Sequence, residues 1–213
     1  MLPTHAIAGM ILALPVAYAR PEFAAVALVA GFVGGVVPDL DLYAGHRKTL
    51  HYPVYYQPLA AVALVLAAWH PTAATVGVAF VLVGAAIHSV TDVFGGGLEL
   101  RPWEGTSDRA VYDHHRRRWI APRRWVQYDG SPRDLCLAVA LAVPLLVTLD
   151  GALRRVVFAS LVVAVVYTVV RRVLPRLAVR IVDVLEPLVP VSVLAYVPAR
   201  YRERPTAGTT GRS

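Results

Sequence analysis

Long apolar runs separated by short polar segments dominate the pattern of this chain. Six such runs cover residues 6–19, 23–37, 54–69, 72–94, 135–149 and 156–170, and proline, glycine, arginine or aspartate interrupts them. Runs of this kind are typical of helices that cross a lipid bilayer. Because several are shorter than the roughly 20 residues of a perpendicular span, the prediction of six spans requires borrowed flanking residues or a locally thinned bilayer.

The pattern changes after residue 170. Several arginines follow the last run, and Pro187 and Pro190 break the next apolar stretch, residues 181–197. This favours a segment in the membrane interface over a seventh span. We therefore predict an all-α, polytopic membrane helix bundle with an interfacial C-terminal segment. A single integral-membrane helical domain is expected over residues 1–198, with a basic loop at 95–134 and a disordered tail at 199–213.

Composition and charge favour the same class of protein. Hydrophobic residues make up 57% and charged residues only 16% of the 213 residues, which is too apolar for an ordinary soluble domain. The net charge is +7, and in a membrane protein we expect such charge to contact membrane lipids rather than nucleic acid. The first residues lack a positive n-region and a cleavage site, so we expect the first helix to be retained.

The distribution of arginines also predicts how the chain is oriented across the membrane. Eight arginines lie between Arg101 and Arg133, against four acidic residues. The positive-inside rule places this loop on the cytoplasmic side of the inner cell membrane. With six spans, the N-terminus, the loop at 39–53 and the segment after residue 170 are then cytoplasmic too, while the turns near Arg20 and His70 lie outside.

Seven ionisable residues fall on the cytoplasmic side of this topology and form the candidate metal-ligand set. They are His5, Asp39, Asp41, His46, His51, His88 and Asp92. Ionisable groups at a membrane edge are costly, which makes them candidates for function. The single Cys136 excludes a thiolate-rich site, so a metal here takes imidazole and carboxylate ligands. We predict one or two divalent ions, with zinc first and manganese or iron as alternatives.

Two pairs within the set have informative spacing. His88 and Asp92 are four residues apart, so both project from one helix face and could bind one ion. The alternative is a buried histidine–aspartate hydrogen bond that holds two helices together. Asp39 and Asp41 follow a proline, and both carboxylates can point into one site if the backbone is extended there. The alternative is a polar turn in which an aspartate caps the next helix.

Three glycines in the second run, Gly31, Gly34 and Gly35, place small residues on one helix face. Their spacing includes the GxxxG interval, which lets a neighbouring backbone approach closely. We interpret them as a helix-packing surface.

Four motifs of the chain resemble those of the YdjM-like family of membrane-bound metal-dependent hydrolases. They are Thr4-His5, Gly35-Val36-Val37-Pro38-Asp39-Leu40-Asp41, Gly45-His46-Arg47-Lys48-Thr49-Leu50-His51 and His88-Ser89-Val90-Thr91-Asp92. Their order and spacing match over roughly residues 1–105. Lys48, Leu50 and Tyr52 stand where family members commonly have glycine, threonine and serine. The resemblance implies hydrolysis at a metal centre in the membrane.

A metal-dependent hydrolase with Asp39, Arg47 and His51 as catalytic residues is therefore the leading hypothesis. Arg47 and Lys48 could hold the anionic side of a phosphoester, and the position at headgroup level suggests a phosphoester or lipid-like substrate. One alternative is a non-catalytic protein that uses the cluster for ion or proton movement. Another is a lipid-binding scaffold with an arginine-rich interaction loop.

Motifs that the chain lacks narrow the choice among enzyme classes. The chain contains no Gly-x-Ser-x-Gly elbow, P-loop, Gly-x-Gly-x-x-Gly fingerprint or His-Glu-x-x-His helix, so serine hydrolases, nucleotide hydrolases and common zinc peptidases lose support. Basic and aromatic residues are mixed from Tyr112 to Trp125, as in surfaces that bind lipid headgroups. The positive-inside rule also explains that segment and is the favoured interpretation. His114 and His115 within it are unranked candidate ligands.

Overall fold

A computed structural model describes residues 1–190, and these residues form a bundle of helices. The α-helices are α1 Leu2–Ala19, α2 Ala24–Val36, α3 Tyr56–Trp69, α4 Ala73–Thr91, α5 Pro132–Thr148, α6 Gly151–Val170 and α7 Leu174–Leu185. The predicted all-α class is confirmed. The predicted tail at 199–213 and the end of the predicted interfacial segment lie outside the described residues.

Four helical segments of the described chain are long and apolar enough to cross a membrane. They are Leu2–Ala19, Pro21–Asp41, Ala73–Phe94 and Gly151–Val170, where 3-10 turns extend α2 at both ends and α4 at its end. At 14 and 17 residues, α3 and α5 are shorter. The helices are thus compatible with a membrane protein, while the count of six spans stays a prediction.

Glycines bring α1, α2 and α4 into backbone contact. A Cβ atom at Gly31 would meet the carbonyl oxygen of Gly9 on α1, and one at Gly35 would meet the carbonyl oxygen of His5. A Cβ atom at Gly34 would meet the backbone of α4. This is the close approach that the spacing of the three α2 glycines predicts, and it holds the start of α1 against the end of α2.

Polar contacts tie α5 to the start of α1. Ser131 caps α5 by accepting a hydrogen bond from the backbone N–H of Asp134. The carboxylate of Asp134 in turn accepts the hydroxyl of Thr4 in the first turn of α1. The starts of α1 and α5 therefore lie at the same end of the bundle.

Loop 95–134 contains a short β-hairpin, which the sequence analysis did not predict. Strand β1, Val111–Asp113, pairs in antiparallel register with β2, Arg118–Ile120. The backbone N–H of Tyr112 donates to the carbonyl oxygen of Arg47, so the hairpin lies against the loop between α2 and α3. Tyr167 near the end of α6 donates to the carboxylate of Asp129, which fixes the other side of the loop to α6.

Candidate metal centre

Four of the seven candidate ligands converge at the end of the bundle where α2 and α4 finish. Asp39, His51, His88 and Asp92 each offer one ligand atom, and these atoms all lie within 4.8 Å of one another. They come from the turn after α2, the loop that follows it and the last turns of α4. We call these four residues the metal cluster. Asp39 is partly exposed, and the other three are buried.

The separations between the ligand atoms suit a four-coordinate ion. His51 Nε2 lies 3.7 Å from Asp39 Oδ1 and 3.2 Å from Asp92 Oδ2. His88 Nε2 lies 3.4 Å and 3.5 Å from the same two oxygens. Tetrahedral coordination at zinc distances of about 2.0–2.1 Å separates the ligand atoms by about 3.3 Å. These four histidine–carboxylate separations scatter around that value, and the remaining pairs of ligand atoms lie within 4.8 Å.

Most of the ligand atoms in the metal cluster lack a hydrogen-bond partner. His51 Nε2, His88 Nε2 and Asp92 Oδ2 are buried and make no hydrogen bond within the described part of the chain. A buried polar atom without a partner is costly, and native structures contain few of them. A cation between these atoms would satisfy all three at once, so the residues present fit a divalent metal.

Hydrogen bonds orient both histidines of the metal cluster. His88 Nδ1 donates to the carbonyl oxygen of Gly35 at 2.7 Å, and His51 Nδ1 donates to Asp41 Oδ2 at 3.1 Å. A proton on Nδ1 leaves the lone pair of Nε2 free to face the metal cluster. Acceptors of this type commonly fix the tautomer and the ring orientation of metal-binding histidines.

Asp41 organises the loop around the metal cluster. Its Oδ1 accepts His46 Nδ1 at 3.1 Å and the backbone N–H of Arg47 at 3.3 Å. Its Oδ2 accepts the backbone N–H of Leu50 at 3.0 Å besides the imidazole of His51. With four donors around its two oxygens, this carboxylate is satisfied without a metal.

The backbone around the two aspartates differs from the extended conformation considered from the sequence. Val37–Asp41 forms a 3-10 helix that continues α2. Successive side chains in such a helix point about 120° apart, so residues i and i+2 face different surroundings. Asp39 consequently faces the metal cluster, whereas Asp41 faces the loop that ends at His51.

The remaining two candidate ligands lie beside the metal cluster. His5 Nε2 is 3.6 Å from Asp92 Oδ1, and the His5 ring lies 4.0 Å from the ring of His88. Neither nitrogen of His5 has a hydrogen-bond partner within the described residues. His46 Nδ1 is 4.0 Å from Asp39 Oδ1. Both histidines stay predicted ligands, although neither belongs to the metal cluster.

Arg47 places a buried positive charge next to the metal cluster. Its Nε atom lies 3.4 Å from Asp92 Oδ2, and its guanidinium also donates to the carbonyl oxygen of Gly96 at 2.6 Å. The backbone of Arg47 is in the left-handed region, with φ of 60°. Lys48, by contrast, holds its ammonium 4.6 Å from the ring centre of Tyr112. Of the two cations, Arg47 is the one beside the metal cluster.

The charge environment of His51 couples metal binding to protons. Burial lowers the pKa of this imidazole, but the carboxylates of Asp41 and Asp92 outweigh that effect and hold the pKa above its ordinary value. Metal ligation requires a neutral imidazole, so carboxylates that favour the protonated form make ligation at His51 compete with protonation.

Two groups that support the site were not identified from the sequence. The acceptor for His88 is the backbone carbonyl of Gly35, which leaves no side-chain signal. Asp134, which ties α5 to Thr4, was recognisable from its capping spacing with Ser131. His114 lies outside the metal cluster, since its Nε2 donates to the carbonyl oxygen of Lys48 at 2.6 Å.

Comparisons of the chain with protein-family models, curated proteins and solved structures found no match. The resemblance to the YdjM-like family therefore rests on the four motifs themselves. The metal cluster is an independent observation, because it depends on distances between residues and not on motif order.

Proposed function

We propose that this chain is a membrane-embedded metal-dependent hydrolase that acts on a phosphoester or lipid-like substrate at the cytoplasmic membrane face. The convergence of Asp39, His51, His88 and Asp92, with histidine–carboxylate separations of 3.2–3.7 Å, carries the proposal. The nitrogen and oxygen donor set supports zinc as the metal. The motif resemblance supports hydrolysis as the reaction.

The four ligands divide by their exposure. Catalytic zinc sites typically keep three protein ligands and one open position. His51, His88 and Asp92 are buried and would hold the ion, while Asp39 borders the accessible side and would orient the attacking water as a base. When bound, a divalent metal supplies Lewis acidity that activates water and polarises a phosphoryl or carbonyl oxygen.

Arg47 would bind the substrate's anionic oxygen. Its guanidinium lies beside Asp92, within the same buried region as the ligand atoms. A guanidinium forms strong charge-assisted hydrogen bonds to phosphoryl oxygens, and these strengthen in a water-excluded site. His51 has a double role in this arrangement, because it binds the metal and connects it to Asp41.

The surroundings of the accessible side support a lipid-like substrate. The side chains of His46 and Asp39 are 18% and 20% exposed, whereas the three buried ligands are almost completely covered. Leu40 and Tyr43 next to them are 68% and 81% exposed. Apolar side chains beside a polar opening suit an amphiphile whose headgroup reaches the metal cluster while its chain lies against them.

The distribution of buried polar side chains favours hydrolysis over ion movement. An ion path needs polar groups through the length of the bundle. In residues 1–190, the buried polar side chains lie near the end that holds the metal cluster, with Ser160 on α6 as the exception. The core between the helices is apolar.

Metal content and hydrolysis of the purified full chain in detergent test the proposal. We compare His88→Gln with His70→Gln, since His70 is an exposed histidine at the end of α3. We expect the wild type and H70Q to retain a divalent metal and H88Q to lose most of it. Hydrolysis of a water-soluble phosphodiester or a short-chain phospholipid should stop on chelation and return with zinc.

Two results would contradict this proposal in different ways. Equal metal content in H88Q and H70Q would reject the metal centre. A retained metal without hydrolysis of either substrate would leave the metal centre standing and reject the hydrolase.

A further inference from the structure

A second cationic site lies between the basic loop and α7. A cavity of about 130 Å³ is lined there by Arg101, Trp103, Glu104, Arg172, Pro175 and Arg176. We call it the arginine cavity. None of its residues belongs to the metal cluster or is used in the proposed hydrolysis, so the cavity requires a separate explanation.

The arginine cavity has an excess of positive charge. Its one carboxylate, on Glu104, lies 3.3 Å from a guanidinium nitrogen of Arg101. Within the described chain, no carboxylate lies at ion-pair distance from Arg172 or Arg176. Uncharged groups hold Arg172: it donates to the Tyr128 hydroxyl at 3.4 Å and lies 5.2 Å from the ring centre of Trp103. Two guanidinium charges are therefore free to attract an anion.

The position of the arginine cavity along the chain points to a membrane surface. The segment Gly151–Val170 is long and apolar enough to cross a membrane, and Arg172 follows its last residue after one position. Trp103 contributes the aromatic side chain that is common at headgroup level. The cavity thus lies where the chain would leave the hydrocarbon layer.

The helix that follows has the character of an interfacial helix. On α7, apolar side chains repeat at helical spacing along one exposed face: Leu174, Leu177, Ile181, Val184 and Leu185. Arg176, Arg180 and Asp183 lie together on the strip of the helix beside this apolar face. A helix of this pattern lies in the interface plane with its apolar face among the acyl chains. Arg176 is then directed to the headgroup layer.

We propose that the arginine cavity binds the phosphate group of an anionic membrane lipid. Arg172 and Arg176 donate to the phosphate oxygens, since guanidinium groups match the geometry of phosphate and donate two hydrogen bonds each. The acyl chains of the lipid continue along the apolar face of α7. The site is independent of the metal cluster and holds whether or not the chain is a hydrolase.

A matched pair of variants on α7 tests the proposal. Arg176→Gln and Arg180→Gln each remove one exposed arginine from the same helix, but only Arg176 lines the arginine cavity. Titration of the full chain in detergent with short-chain phosphatidic acid should show binding that R176Q weakens about tenfold, the size expected for losing a charge-assisted hydrogen-bonding group. R180Q should weaken it by about twofold or less.

A second variant and two other ligands serve as controls for the lipid-binding experiment. Arg101→Gln, on the loop side of the cavity, should weaken binding in the same direction and gives a second variant if R176Q folds poorly. Short-chain phosphatidylcholine should bind more weakly than phosphatidic acid. If R176Q and R180Q lost affinity for phosphatidic acid equally, general surface charge would explain the binding, and the proposal would be overturned. Inorganic phosphate that binds as tightly as phosphatidic acid would show a free-phosphate site and overturn the lipid assignment.

Discussion

The three helices around the metal cluster differ in packing from the helices that surround them. On α1, α2 and α4, glycines bring backbones into contact. On α6, by contrast, a row of valines remains exposed, among them Val162, Val163, Val166 and Val169. Lipid is as apolar as these side chains, so they need only a hydrocarbon environment and no fitted partner. Close backbone packing is therefore concentrated in the three helices that surround the metal cluster.

Gly35 shows how helix packing and the metal cluster are connected. Its α-carbon faces the backbone of His5, where a Cβ atom would not fit. Its carbonyl oxygen accepts the Nδ1 proton of His88 and thereby orients that ring. One residue of α2 thus sets both the distance to α1 and the direction of a ligand on α4.

The largest effect on stability should come from disrupting the backbone contact between α2 and α4. At Gly84 on α4, a Cβ atom would lie 2.6 Å from the carbonyl oxygen of Gly31, whereas at Gly77 on the same helix it would meet only a side-chain carbon of Val26 at 3.5 Å. We expect Gly84→Ala to destabilise the chain by about 2 kcal/mol or more and to reduce bound metal. Gly77→Ala should be neutral or slightly stabilising.

Thermal unfolding in detergent, together with metal analysis, measures both variants. Equal unfolding temperatures for G84A and G77A would contradict the idea that backbone contact sets α1, α2 and α4 apart from the other helices.

An intermediate effect is expected from a residue that orients a ligand without binding the ion. Asp41→Asn keeps the size of the side chain but removes the charge that holds His51 Nδ1. Loss of such a partner typically lowers metal affinity 10- to 100-fold, and we expect about that here. Competition with a chelating dye measures the affinity. Asp150→Asn at the exposed start of α6 is the control, and an equal affinity in both variants would mean that Asp41 does not orient His51.

The smallest effects should separate buried from exposed valines. Val76 on α4 is buried, whereas Val166 on α6 is exposed. We expect Val76→Ala to cost about 1–2 kcal/mol through lost packing. Val166→Ala should stay within about 0.5 kcal/mol, because an exposed side chain loses few contacts within the chain. Thermal unfolding of the two variants tests this difference, and a larger loss in V166A would show that α6 packs against an additional partner.

The helices could be predicted because their signals are local. The apolar run at 72–94 corresponds to α4 and its closing 3-10 turn, and the run at 54–69 corresponds to α3 Tyr56–Trp69. Apolar length and the prolines and polar residues at the ends decide such elements. The hairpin of β1 and β2 escaped prediction because strands of three residues have no clear alternation, and one contact of β1 is with the distant Arg47.

The sequence alone determined the all-α class and the side chains available for chemistry. Apolar runs specify helices, and the paired histidines and aspartates supply nitrogen and oxygen atoms that could bind a metal. Only the tertiary structure decided that Asp39, His51, His88 and Asp92 meet, while Asp41 is satisfied within its own loop. Coordination requires atoms from separate segments to lie within a few ångströms, and that distance depends on how closely α2 and α4 approach. The glycine spacing of α2 predicts that some backbone comes close, but which helix does so, and in which register, depends on the packing of segments that are distant in the sequence.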